Sequence, residues 1–262
     1  MNQPAFDDAD SVRQQLLQHL RQLRGAGVDW LPQGLPFQVA IPTAPQTGPK
    51  TLELTSVETS AASGTIGISL EQRQLDLTTL AEEVKSCTRC AELCSSRTQT
   101  VFGQGNLDVE LCFVGEAPGA DEDAQGIPFV GAAGQLLNRI IAASGLQRDA
   151  VYICNILKCR PPGNRMPLAS EASNCREYLD RQLALVQPKY IVALGGCAAT
   201  HLLQTTLSVG KLRGRFHDYH GNPVKVTYHP AFLLPHRSPE KKREVWDDMK
   251  MLLQKMGRSV PG

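Results

Sequence analysis

Residues 111–119 read LCFVGEAPG, and this stretch decides the fold. A five-residue apolar run has the length of a buried strand, and Gly115, Pro118 and Gly119 mark the turn that ends it. Glu116 stands in that turn, directly after the strand. Three further runs share the texture: Val151 to Leu157, Tyr190 to Gly195 and Val224 to Tyr228. Between the first three lie the helical patterns GAAGQLLNRIIAASG (131–145) and SEASNCREYLDRQLALVQP (170–188). Strands separated by crossover helices imply an α/β fold, a three-layer α/β/α sandwich around a central, mainly parallel four-stranded sheet. Open sheets of this kind bind ligands beyond the carboxyl ends of their strands. Glu116, Asn155 and His229 each close one of the apolar runs, so three polar groups converge on one edge.

The chain has 262 residues and a formal net charge of +1, so no global field announces a nucleic-acid partner. Its distribution is uneven. Residues 1–80 carry five Lys/Arg against eight Asp/Glu, a balance of −3, and residues 205–262 carry eleven against five, a balance of +6. The C-terminal part is the one suited to face phosphates. The N-terminus MNQPAFDDAD is acidic and lacks the apolar core of a leader. No stretch approaches the roughly eighteen apolar residues of a membrane span, so the chain reads as cytoplasmic with no membrane partner.

Three domains are expected. Residues 1–27 form an amphipathic helix with Val12, Leu16, Leu17, Leu20 and Leu23 on one face, ended by Gly25 and Gly27. Such a helix suits a docking peptide for a protein partner. Residues 28–74, rich in Pro, Thr, Ser, Gly and Ala, have the composition of a disordered linker. Residues 75–262 hold the alternating strands and helices, and the chain is expected to be a monomer.

Eight cysteines in a reducing compartment point to metal ligation or burial rather than disulfides. Cys87 and Cys90 are spaced C-x2-C, Cys94 follows on the next turn, and Cys159 and Cys175 offer a second pair. Cys112, Cys154 and Cys197 lie in or beside strand patterns and read as packing residues. Spacing alone leaves structural zinc and an iron-sulfur cluster both open.

Several segments together, CTRC, VFGQGN, VGEAPGADEDAQGIPFVGAAGQLLNRI, VYICNILKCRPPGNRMP, IVALGGCAA, KLRGRF and TYHPAFLL, occur in the order of the family 4 uracil-DNA glycosylases, the iron-sulfur branch of their superfamily. The resemblance covers about residues 80–255. It implies an enzyme that flips uracil out of DNA and hydrolyses its N-glycosidic bond to begin base-excision repair. It implies Glu116 and His229 as catalytic groups, with Gly115, Ala117, Phe129 and Asn155 binding the base. It also implies a [4Fe-4S] cluster on Cys87, Cys90, Cys159 and Cys175.

Uracil-containing DNA, single- or double-stranded, is the implied partner. Lys158, Arg160, Arg165, Arg237, Lys241 and Lys242 are then candidates for phosphate contact, and Leu233 or Leu234 for the wedge into the vacated stack. Pro235 stands where the family more often carries an arginine. Three other readings exist: a relative covalently trapped on the abasic site, a non-catalytic, polymerase-associated uracil-DNA-binding module, and an iron-sulfur electron carrier, for which nothing offers a flavin or second-cluster site. KCRPPGNRMP lacks the histidine of the first, and intact Glu116, Asn155 and His229 speak against the second.

Overall fold

Helix α1, Leu70–Lys85, begins at Ser69, whose hydroxyl accepts the Gln72 N–H at 3.2 Å. It starts five residues ahead of the expected domain boundary. The computed structural model describes residues 68–234 and 239–261, within the unit Ser63–Gly262. The expected helix over 1–27, most of the expected linker and Arg237 lie outside the described residues. Helix α2, Ala91–Ser96, is followed by strand β1, Leu111–Gly115, the short helix α3, Ala120–Gln125, and helix α4, Ala132–Ala143. Strand β2, Tyr152–Asn155, leads into helix α5, Ala169–Val186, and strand β3, Tyr190–Leu194. Helices α6, Gly195–Leu203, and α7, Val209–Leu212, precede strands β4, Phe216–Tyr219, and β5, Asn222–Thr227, and helix α8, Pro239–Lys255, follows.

The sheet has five strands in the order β2-β1-β3-β5-β4, not the four expected. Strands β2, β1, β3 and β5 are parallel, and β4 runs antiparallel on the outer edge of β5. The additional strand, FHDY, carries little apolar signal because it is an edge. It turns into β5 through His220 and Gly221, both at positive φ, as a two-residue hairpin turn requires.

Side chains alternate between the two faces of the sheet. Cys112, Val114, Cys154, Ile191, Ala193, Val224 and Val226 share one apolar core with Leu77 of α1, Leu179 and Leu183 of α5 and Ala198 of α6. Leu111, Phe113, Ile153, Val192 and Leu194 share the other with Leu137 and Ile141 of α4 and Met249 and Leu252 of α8. The three-layer arrangement expected from the sequence follows from this division. Arg73 ties α1 to the end of α5, its guanidinium donating to the Leu185 and Val186 carbonyls, which have no partner within their own helix.

One buried polar cluster joins α8 to the sheet. Lys225 and Asp248, 0% and 1% exposed, pair at 3.0 Å. Asp248 also accepts from Thr227 Oγ1 at 2.9 Å and from Arg213 Nε at 3.0 Å. Removing one partner leaves a buried charge uncompensated, which typically costs about 3–5 kcal/mol. Asp248→Ala is expected to lower unfolding stability by roughly that amount. The double substitution Lys225→Met, Asp248→Leu should lose less than the single one. Urea unfolding of the three proteins checks this, and a single variant as stable as the unmutated chain would refute it.

Candidate active site

The carboxyl ends of β1 and β2 lie side by side, with Gly115 paired to Asn155 in parallel register. Beyond the strand ends the ladder continues, as the Ile156 N–H donates to the Gly115 carbonyl and the Leu157 N–H to the Glu116 carbonyl, both at 3.0 Å. This fixes Glu116 and Asn155 as neighbours. Together with Phe129, His229, Ala231 and Phe232 they line a cleft of about 480 Å³, the size of a small-ligand pocket.

The cleft is shaped by close approach at two glycines. A Cβ on Gly115 would stand 2.4 Å from Asn155 Oδ1 and 2.5 Å from Phe129 Cζ, so only glycine lets the ring and the amide meet there. A Cβ on Gly134, in the first turn of α4, would come within 1.9 Å of the Phe129 carbonyl oxygen. Phe129 itself is held at φ +55°, a sparsely populated region for a bulky residue. Strain of this kind persists where surrounding structure enforces it and gathers at functional sites. Here the enforcing group is Glu122, which the sequence had left without a role. Its buried carboxylate accepts the N–H groups of Gly119, Val130 and Gly131 at 3.1, 2.9 and 3.0 Å, binding the two cleft loops together.

Asn155 is 1% exposed, and among the described residues its Oδ1 has no hydrogen-bond partner. A buried acceptor left unpaired costs about 1–3 kcal/mol, so its place on a cleft wall points to a ligand that pairs with it. Burial alone raises the Glu116 carboxyl above the usual carboxylate range. His229 closes the opposite wall, its ring 5.6 Å from that of Phe129. Burial lowers it to about 4, only partly opposed by the Glu122 carboxylate. Its Nδ1 accepts the Ala231 N–H at 3.2 Å, so the neutral ring carries its proton on Nε2.

A model of the uracil DNA glycosylase superfamily matches residues 102–250. The chain is 45% identical over 172 residues to the type-4 uracil-DNA glycosylase of Thermotoga maritima, an alignment spanning 65% of this chain and 89% of that relative. It is 42% identical over 192 residues to the type-4 enzyme of Archaeoglobus fulgidus, spanning 70% and 94% respectively. The chain belongs to the type-4 uracil-DNA glycosylase family. A weaker match, 26% over 160 residues, reaches a DNA polymerase of Bacillus phage SP01 and covers 17% of its length.

Away from the cleft, this member of the type-4 uracil-DNA glycosylase family gathers Cys87, Cys90, Cys159 and Cys175 around a second, small cavity. Cys94, ambiguous in the sequence, is not among its lining residues. Cys112, Cys154 and Cys197 are buried, as packing residues should be. Nitrogen donors face the sulfurs: Arg97 Nη1 lies 3.0 Å from Cys159 Sγ and Asn174 Nδ2 lies 3.5 Å from Cys90 Sγ. Arg97 had no signal in the sequence beyond its charge.

Several expected DNA contacts do not stand at the surface. Lys158 is 1% exposed, its Nζ donating to the Asn155 carbonyl at 2.9 Å and to Gln182 Oε1 at 2.5 Å, so it cannot meet a phosphate. Leu233 is 2% exposed and packs inside, which removes it as a wedge; Leu234 is half-buried. Arg165 lines the cleft but is held by both oxygens of Glu171 and by Glu92. Half-buried Arg160 donates to Asn164 Oδ1 at 2.7 Å, Lys241 pairs with Glu244, and Lys242 is exposed. Phe232, stacked on Tyr228 at 5.2 Å, is the apolar side chain exposed at the cleft mouth.

The His229 shift carries a pH signature. Its ordinary value is 6.5 and its folded value about 4, so between those pH values the unfolded chain binds the extra proton. The stability it contributes is therefore intact above pH 6.5 and is lost as pH falls towards 4. NMR titration of the ring is expected to show a neutral Nε2–H tautomer at pH 5.5. An imidazolium at that pH would overturn the assignment.

Proposed function

We propose that the cleft takes a uracil flipped out of DNA and that the protein hydrolyses the bond between uracil N1 and the sugar C1′. The orphaned Asn155 Oδ1, on a cleft wall beside the Phe129 ring, is the observation that carries this reading. An amide presents an acceptor and a donor together, which suits the imide edge of uracil. Cytosine presents a different pattern there and would leave groups unpaired. Phe129 supplies a flat apolar wall for the base to stack on, and Gly115 and Ala117 keep the loop open beside it.

When the N1–C1′ bond breaks, its electron pair goes to the uracil and positive charge develops on the sugar. Neutral His229 donates its Nε2–H to the uracil oxygen that gathers the negative charge. Because its imidazolium form is confined to below about pH 4, the ring is neutral throughout the neutral range and keeps its single proton on Nε2. Glu116 faces the sugar, favours the developing cation, and accepts the proton of the water whose oxygen attacks C1′. Burial strengthens it as a base, because a raised carboxyl value means tighter proton binding. The protein is thus read as a base-excision-repair enzyme of the cytoplasm acting on uracil-containing DNA, with Arg160, Lys241 and Lys242 against the phosphates.

The four cysteines fit a [4Fe-4S] cluster. They surround one cavity, and N–H donors from Arg97 and Asn174 reach the sulfurs, as in the surroundings of thiolate-bound iron clusters. Among the described residues no three His, Cys, Asp or Glu side chains close on a point as ligands of a single ion would. A cluster would take one thiolate at each of its corners. When bound it supplies a cross-link between the segment before β1 and the loop after β2.

Incubation with oligonucleotides carrying one uracil is expected to leave alkali-labile abasic sites. Glu116→Ala and His229→Ala should each slow this on the order of 10² to 10⁴-fold. A protein that releases no uracil from any such strand would end the enzymatic reading and leave the non-catalytic, polymerase-associated one. Anaerobically purified protein is expected to be brown and to contain iron and sulfide, and Cys159→Ser to lose both. A colourless protein holding zinc would refute the cluster.

A further inference from the structure

Lys158 sits between the two sites and belongs to neither as described so far. Its ammonium is almost fully enclosed, and its partners are the Asn155 carbonyl at 2.9 Å, Gln182 Oε1 at 2.5 Å and the face of Phe102 at 5.7 Å. All three are neutral. Among the described residues no carboxylate lies within ion-pair distance of it, unlike the other fully buried lysine, Lys225, which has Asp248. A buried cation without a counter-charge is strongly unfavourable, so a compensating negative group is required nearby.

The geometry supplies one. Lys158 lines the cavity shared by Cys87, Cys90, Cys159 and Cys175. Gln182 has no slack to move away, since its Nε2 donates to the Phe102 carbonyl and to Tyr152 Oη, both at 2.9 Å. The ammonium is therefore held by a rigid neutral cradle, and its residue lines the cavity that the four sulfurs share.

We propose that Lys158 is a positioning residue that fastens the Asn155 backbone, and with it the base-reading amide, while drawing its counter-charge from the metal-bound thiolates. The inference rests on the reading of those cysteines as cluster ligands and of Asn155 as the uracil contact. It makes the cluster more than a distant cross-link: its charge stabilises the lysine that sets one wall of the cleft. Loss of the cluster would loosen uracil recognition without removing any group that touches uracil.

The test uses the full chain and two binding probes that need no turnover. Free uracil reports on the Asn155 wall, and an oligonucleotide with an abasic site reports on the DNA surface without the base. Lys158→Met is expected to keep its iron and sulfide, to bind uracil roughly tenfold more weakly by titration calorimetry, and to bind abasic DNA within about twofold of the unmutated protein. Lys158→Arg, which keeps the charge, should retain the cluster and most of the uracil affinity.

Full iron in Lys158→Met with weakened uracil binding that Lys158→Arg restores supports the inference, and loss of iron from Lys158→Met overturns it. The uracil affinity of cluster-stripped unmutated protein should fall by a similar factor. Lys158→Met with full iron and unchanged uracil affinity also overturns the inference. Either result leaves the proposed function standing. An unmutated protein that holds no iron, or that binds no uracil, overturns that function's cofactor or substrate and this inference with it.

Discussion

The parallel pairing of β1 with β2 places Gly115 opposite Asn155, and two further backbone bonds carry the pairing past the strand ends into the loops. Slipping this register by one residue would turn Asn155 from the cleft towards the other face and exchange the two apolar cores. Cys112 and Val114 would face α4, and Phe113 would face α5. Core and cleft are thus fixed by the same hydrogen bonds. A substitution that disturbs one cannot leave the other intact.

Two buried carboxylates brace the cleft in different ways. Asp248 collects Lys225, Arg213 and Thr227 and so fixes the end of β5 just before His229, with Arg213 over the ring of Tyr228 at 5.5 Å. Glu122 collects three backbone N–H groups and so fixes the loop that holds Phe129 in its strained conformation. Both stand behind the cleft. A pocket that must accept a flat base without rearranging needs its walls held by groups that the ligand never touches.

The desolvation that raises Glu116 and lowers His229 acts on opposite charge types but to one end. Each is shifted toward its neutral form. A carboxylate that binds protons more tightly is a better base. A histidine that stays neutral is a donor whose proton is fixed by the Ala231 N–H on the other nitrogen. The division of labour proposed for them requires both groups in the same poorly hydrated cleft.

Much was legible in the chain itself. Apolar runs of strand length, broken by helical periodicity, specify the α/β/α layering, because side-chain alternation and helix amphipathicity are local properties of sequence. Glu116, Asn155 and His229 could be placed at one edge for the same reason: each ends a strand, and parallel strands end together. The polar edge strand β4 was missed because an edge buries only one face and leaves little apolar signal. What only the tertiary structure decided is where long side chains go. Lys158 reads as a surface cation and is buried; Leu233 reads as an exposed wedge and packs inside; Arg165 reads as a phosphate contact and is held by Glu171 and Glu92. A flexible side chain settles according to partners far away in sequence. Local pattern determines the backbone's course but not which charges that course brings within reach of one another.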